Sequence, residues 1–371
     1  MKKLLLAALA LVGLWNAPLS AAEENETPWQ LVNALDLRVI NKGWDNTLRP
    51  FTRIPAYLQD SVRPDLWERS QCSSGIGIRF ATNSRRIGVK YQLLWNTHLI
   101  HMADTGLKGT DLYILEGDSV WRHVNTNRPY VNNKEDKIVE STYVERLDGK
   151  MHEYMIYLPL YDGVNELWVK VDSGCVITPG NPEIIDRNRR IVAYGTSILQ
   201  GGCASRTGMA GTNIIGRELN AEVVNIGISG EGKQDECMAR AMNQIPDVDL
   251  FLLDPVPNCT EMQCDTLTYN FVKILADAHP DTPIVMLAGP LYPYYRYDSM
   301  FNNYLPAKNN AYRRNYQRLK DEGYQNIYFI ESEGLDGPED DGTVDGIHLT
   351  DLGFRHYADF LLPHLRRILG W

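Results

Sequence analysis

Four short stretches of this 371-residue chain carry side chains that could act together on one bond. The first, YGTSILQGGCASRTG (residues 194–208), sets Ser197 directly after an apolar run and before a glycine-rich loop. The second, GISGEG (227–232), has three glycines able to bring backbone N–H groups close to a ligand. PVPNC (255–259) offers the side-chain amide of Asn258. DGIHLTDLGF (345–354) places Asp345 three residues before His348, a spacing found at none of the other seven of the eight histidines. A hydroxyl nucleophile, an imidazole to take its proton, a carboxylate to fix that imidazole and donors for an oxyanion are the parts that acyl transfer needs. An Asp-x-x-His turn can aim its carboxylate at Nδ1 and leave Nε2 to face the serine.

Ordinary structural readings compete with each assignment. A serine after a strand is commonly a helix cap, and His348 could be a surface residue ahead of a final helix capped by Thr350. Gly230 could merely permit a turn, and Asn258 could bond its own backbone. Ser229 in GISGE resembles the G-x-S-x-G elbow, but Glu231 stands where its last glycine belongs. Cys203 and Cys259 are rival nucleophiles that an oxidising compartment disfavours. The acidic run EDDGTVD fails the EF-hand spacing, so no metal and no cofactor are predicted. YPYYRY (292–297) is either a loop packed on the core or, through Tyr292, Tyr294 and Tyr295, an aromatic wall for substrate.

The elements that must position these residues follow from periodicity. Apolar β-rich runs occur at 191–194, 222–226, 250–254, 284–288 and 327–331, with helix-like stretches between them. Continuous apolar strands alternating with helices predict a parallel sheet covered on both faces, with ligand beyond the carboxyl ends of its strands. Upstream, residues 30–178 read as short strands. GIGIRFATNSRRIGVKYQLLW, TDLYILEGDSVWRHV and HEYMIYLPLYDGVNELWVKVD each join two extended runs through turn residues, the signature of hairpins in a β-sandwich. The polar TPGNPEIIDRNRR (178–190) is the expected linker.

These blocks resemble the SGNH/GDSL hydrolase family. Its Gly-Asp-Ser-Leu block is matched by GTSI, its second block by NIGISG, its third by the Asn of VPNC and its last by DGIH, in the family's order. Two departures, Thr196 before the serine and Asn258 outside a Gly-x-Asn-Asp setting, look like features of one branch. That branch also carries a preceding β-domain marked Gly-x-Asp-Leu-Tyr, here GTDLY (109–113). The resemblance implies Ser197 as nucleophile, His348 and Asp345 completing the triad, and an oxyanion hole from the N–H groups of Ser197 and Gly230 with the side chain of Asn258. It implies a three-layer α/β/α domain with about five parallel strands at 181–371, preceded by a jelly-roll-like β-sandwich accessory domain at 23–180. GTDLY itself reads as a strand entry without chemistry.

Residues 1–22 join two lysines to a short apolar run ending in small residues, the layout of a cleavable export signal. The mature chain is expected to be periplasmic or secreted, with no membrane insertion after signal removal. Its formal charge is −10, and −12 without Lys2 and Lys3, which argues against nucleic acid as partner. Of six cysteines, Cys259 and Cys264 are the candidates to bridge. The expected activity is hydrolysis of small acyl esters, acetyl above all, on a small molecule or polysaccharide. A lipid-directed esterase or thioesterase and a non-catalytic glycan-binding protein are the alternatives; oligomeric state is left open.

Overall fold

The computed structural model describes residues 27–182 and 189–371. The expected export signal and the middle of the expected linker lie outside the described residues.

Ten strands come first: β1 (Trp29–Asn33), β2 (Arg38–Ile40), β3 (Gly77–Thr82), β4 (Ile87–Leu93), β5 (Asp111–Glu116), β6 (Val120–Thr126), β7 (Ile138–Val144), β8 (His152–Tyr157), β9 (Val164–Asp172) and β10 (Ile177–Pro179). They form two antiparallel sheets, ordered β1-β9-β4-β7 and β10-β3-β8-β5-β6, with β2 added beside β3. Phe80, Leu112 and Tyr154 from one sheet meet Val89, Tyr91 and Val169 from the other in a single buried layer.

Only one of the three expected hairpins forms. β5 and β6 pair across the Gly-Asp turn. β3 instead pairs with β8, while β4 pairs with β7 and β9, so the Asn-Ser turn carries the chain from one sheet to the other. β8 and β9 are likewise separated, on opposite sheets. Turn residues dictate that the chain reverses; which strand it then pairs with is set by contacts distant in sequence, about which turn chemistry is silent.

The second half is a five-stranded parallel sheet: β11 (Arg190–Gly195), β12 (Glu222–Gly227), β13 (Leu250–Asp254), β14 (Ile284–Leu287) and β15 (Ile327–Ile330), in the order β12-β11-β13-β14-β15. The middles of its strands are largely apolar because both faces are covered, with Arg190, Glu222 and Asp254 at strand ends and Asn225 the polar exception inside β12. Ile191 and Ala193 of β11 pack with Ile214, Phe354, Tyr357 and Leu361 from helices Gly211–Leu219 and Asp351–Leu369. Val192 and Tyr194 face the opposite way, against Met238, Phe271, Leu275 and Tyr312. The chain leaves β11 outward to β12 and returns past it to β13, so the order reverses at β11, and the carboxyl end of that strand is where sheets of this topology bind ligands.

Candidate active site

Ser197 stands two residues beyond β11, at the first position of a single helical turn, Ser197–Gln200. The cap of that turn is Thr196, whose hydroxyl accepts from the Ile198 N–H at 3.3 Å. Threonine at 196 thus does the capping and leaves the Ser197 hydroxyl for other work. Ser197 Oγ lies 3.0 Å from His348 Nε2. His348 Nδ1 lies 2.8 Å from Asp345 Oδ2, while Asp345 Oδ1 accepts the N–H groups of His348 (2.8 Å) and Ile347 (3.0 Å). Partial burial alone would raise the Asp345 carboxyl, but the N–H and ring of His348 and the N–H of Ile347 together hold it below its usual range. An ionised Asp345 fixes Nδ1 as the protonated nitrogen, and Nε2 then has a lone pair directed at the serine. Thr350 caps the final helix, accepting from Gly353, so that turn and helix cap coexist.

The three expected donor positions follow three neighbouring strands. Gly195, just before the turn that opens with Ser197, is paired with Gly227 of β12 and with Asp254 of β13. Beyond β12 the loop folds back, with Ile228 N–H donating to Gly195 O at 2.9 Å. Gly230 has φ +73°, and a Cβ there would stand 3.0 Å from Arg69 Nη1, so a glycine suits both the backbone and the space. Among the described residues neither the Ser197 N–H nor the Gly230 N–H donates to a protein acceptor. Asn258 Oδ1 accepts the Gly232 N–H at 3.3 Å, which leaves the amide nitrogen of that side chain as a donor.

The other expectations sort cleanly. Ser229 lies in the same loop, its N–H donating to Gln200 at 2.9 Å, and among the described residues no hydrogen bond joins its hydroxyl to a histidine; the Tyr161 hydroxyl donates to the carbonyl of Ser197 at 3.3 Å. Cys259 and Cys264 are both buried in the core on one face of the parallel sheet, but unjoined. Cys203 is close to His348, yet burial pushes its thiol up to about 12, and the charge of Asp345 pushes the same way, so it is not a thiolate nucleophile. Tyr292, only 6% exposed, packs into the core and lacks the free face an aromatic wall needs. Its ring is stacked 5.8 Å from Tyr294, which lies against Gly346 of the Asp345–His348 turn; Tyr295 is partly buried on the same cluster.

Several residues outside the four blocks lie around the site. Arg53 is fully buried and donates to Cys72 O (2.9 Å), Arg69 O (2.9 Å) and Gly227 O, so a guanidinium from the N-terminal half grips the end of β12. Arg69 donates to Ser229 O at 2.8 Å. Asp111 of GTDLY, completely buried, accepts from Arg206 (2.6 Å), the Gly208 N–H (2.8 Å) and Thr126 (2.7 Å), while Tyr113 accepts from Arg206 at 2.7 Å. GTDLY is therefore more than a strand entry: it latches the β-domain to the loop that follows Ser197. Asp254, at the carboxyl end of β13, is buried, among the described residues only the Tyr357 hydroxyl donates to its carboxylate, and burial pushes it up to about 8. His101, from a β-domain loop, places its ring 5.6 Å from that of His348.

Comparison with known proteins agrees with this architecture. Residues 188–366 match the GDSL-like lipase/acylhydrolase family, and residues 28–177 match the GxDLY family, the N-terminus of SGNH-hydrolase-type esterases. The structure is similar to that of a protein from Bacteroides ovatus ATCC 8483 described as a GDSL-like lipase, at 30% identity and TM-score 0.86, over 92% of this chain and 98% of that one. It shares its fold with a salicylyl-acyltransferase of a tetracycline biosynthetic pathway, at 17% identity and TM-score 0.71 over 92% and 97% of the two chains. A family two carbohydrate esterase from Cellvibrio japonicus has the same fold at 13% identity and TM-score 0.56, over 93% and 99%. No curated protein matches the sequence. No helix among the described residues is long and apolar enough to cross a membrane.

Proposed function

Because the chain belongs to the GDSL-like lipase/acylhydrolase family, we propose that it is an exported serine esterase that removes small acyl groups, acetyl above all, from carbohydrate. The observation that carries the reading is the continuous chain Ser197 Oγ to His348 Nε2 (3.0 Å) and His348 Nδ1 to Asp345 Oδ2 (2.8 Å).

In this reading His348 Nε2 takes the hydroxyl proton as Ser197 Oγ attacks the ester carbonyl. The resulting oxyanion is held by the N–H groups of Ser197 and Gly230 and the amide of Asn258. Imidazolium, stabilised by Asp345, returns its proton to the departing alcohol, and the acyl group stays on Ser197. Water, deprotonated by the same Nε2, then attacks the acyl-enzyme and releases the carboxylic acid. The carbohydrate part draws on the carbohydrate esterase that shares this fold and on Tyr294, an aromatic face beside the Asp345 turn of the sort that stacks on sugar rings.

Ser197→Ala should abolish hydrolysis of p-nitrophenyl acetate, and a fluorophosphonate should label the wild type but not the variant. Wild-type turnover by Ser197→Ala would refute the nucleophile assignment. Acetate release from acetylated xylans, pectins and simple sugars ranks the substrates; rates that climb from acetyl to long acyl esters would replace the carbohydrate reading with a lipid one.

A further inference from the structure

The ring of His101 reaches the site from the other half of the chain, and the loop carrying it is firmly held. Asp162 accepts the N–H groups of Trp95 (3.0 Å) and Thr97 (2.7 Å), Lys108 donates to Asn96 at 2.8 Å, and Met102 is buried in the core that also contains Leu199 and Cys203. Cys203 is held in turn by its N–H, which donates to the carbonyl of Leu349, the residue after His348, at 3.3 Å. One donor atom each from His101, Cys203 and His348 lies within 4.8 Å of the other two.

We propose that His101, Cys203 and His348 form a binding site for a soft divalent cation, zinc in the first place, and that its occupancy switches the esterase off. Two imidazoles and a thiolate are a donor set that zinc favours over magnesium or calcium, which take oxygen. Nδ1 of His348 is engaged by Asp345, so the ligand atom is Nε2. A carboxylate behind a metal-bound histidine is the arrangement that orients such ligands and makes them more basic. Asp345 would serve the metal as it serves catalysis.

The donors must draw closer. Zinc with bonds of about 2.0–2.3 Å in a tetrahedron sets its ligands about 3.3–3.8 Å apart, so the cluster closes by about an ångström, a shift that side-chain torsions supply. The Cys203 proton leaves to solvent, since a zinc-bound thiol is deprotonated outright. Once Nε2 donates its lone pair to zinc, it can no longer take the Ser197 proton, and attack on an ester stops. Metal binding depends only on the three ligands. Its inhibitory consequence rests on His348 being the general base.

Zinc chloride is titrated into chelator-washed enzyme while p-nitrophenyl acetate hydrolysis is followed; in parallel, cobalt(II) is added and the near-ultraviolet thiolate-to-metal charge-transfer band recorded. Zinc should suppress turnover, excess EDTA should restore it, and cobalt should give the band. Scaled to each variant's own metal-free rate, inhibition of His101→Ala and Cys203→Ser should need about tenfold more zinc or above, and Cys203→Ser should lose the band. Unchanged zinc sensitivity in both variants, absence of the band in the wild type, or a rate that falls on EDTA treatment would overturn the proposal. A failure of the triad reading alone shows differently: the cobalt band persists in the wild type and vanishes in Cys203→Ser, while zinc leaves hydrolysis untouched.

Discussion

Asp111→Ala tests whether the β-domain is a structural part of the catalytic unit. The carboxylate is completely buried and accepts three hydrogen bonds, two of them from the loop that follows Ser197. Hydrogen bonds to a carboxylate are worth about 1.5–3 kcal/mol each, a gross loss of about 4.5–9 kcal/mol for the three. Relief of the buried carboxylate offsets part of this. Arg206 is about one-fifth exposed and can turn its charge toward water, which lowers the penalty for losing its partner. The net expectation is about 3 kcal/mol. With an unfolding entropy of roughly 2.1 cal/mol/K per residue, a chain of this length loses about 4 °C in midpoint if it unfolds as one unit, and more if one half melts first. Calorimetry on Asp111→Ala, Arg206→Ala and the double variant provides the check. Residues in direct contact should couple, so the double variant should be less destabilised than the sum of the singles by about 1–2 kcal/mol. Additive effects, within about 0.5 kcal/mol, would refute the latch. With Ser197 as the proposed nucleophile, kcat should fall with stability, since Gly208 lies only eleven residues after it and small displacements of a reacting group are costly.

Two further outcomes are expected. Asn258→Ala should lower kcat on p-nitrophenyl acetate about 10²–10³-fold with little change in KM, because the donor acts on charge that appears only in the transition state; a fall below about threefold would remove Asn258 from the oxyanion hole. Asp254 is pushed up to about 8 by burial, with the Tyr357 hydroxyl pulling weakly the other way, whereas in the unfolded chain it titrates near 3.8. Between these values the native state holds the extra proton, so its contribution to stability is complete below about pH 4 and is lost as pH rises through about 8, at no more than about 1.4 kcal/mol per pH unit. Asp254→Asn should therefore gain in urea midpoint relative to wild type from about pH 5 to about pH 8, and a gap that stays constant would exclude this carboxyl as the source.

The sequence by itself determined what local rules govern. The five strands of the parallel sheet were legible as apolar runs because both faces are covered, and the ligand end of that sheet follows from its topology. Asp345 and His348 could be paired on paper because an i, i+3 turn brings them together whatever the rest of the chain does. The GTSI, GISG and PVPNC blocks could be placed because each directly follows a strand. Tertiary structure decided what depends on neighbours far along the chain. It sent β3 and β4 to different sheets despite an inviting turn, and sank Tyr292 in the core where sequence allowed a substrate wall. It made Asp111 a latch through Arg206, 95 residues away, and set Arg53 on Gly227, 174 residues away. It also brought His101 beside His348. Burial of a lone arginine or histidine leaves no periodic trace; only the packing of one half of the chain on the other supplies the partner that gives such a residue its role.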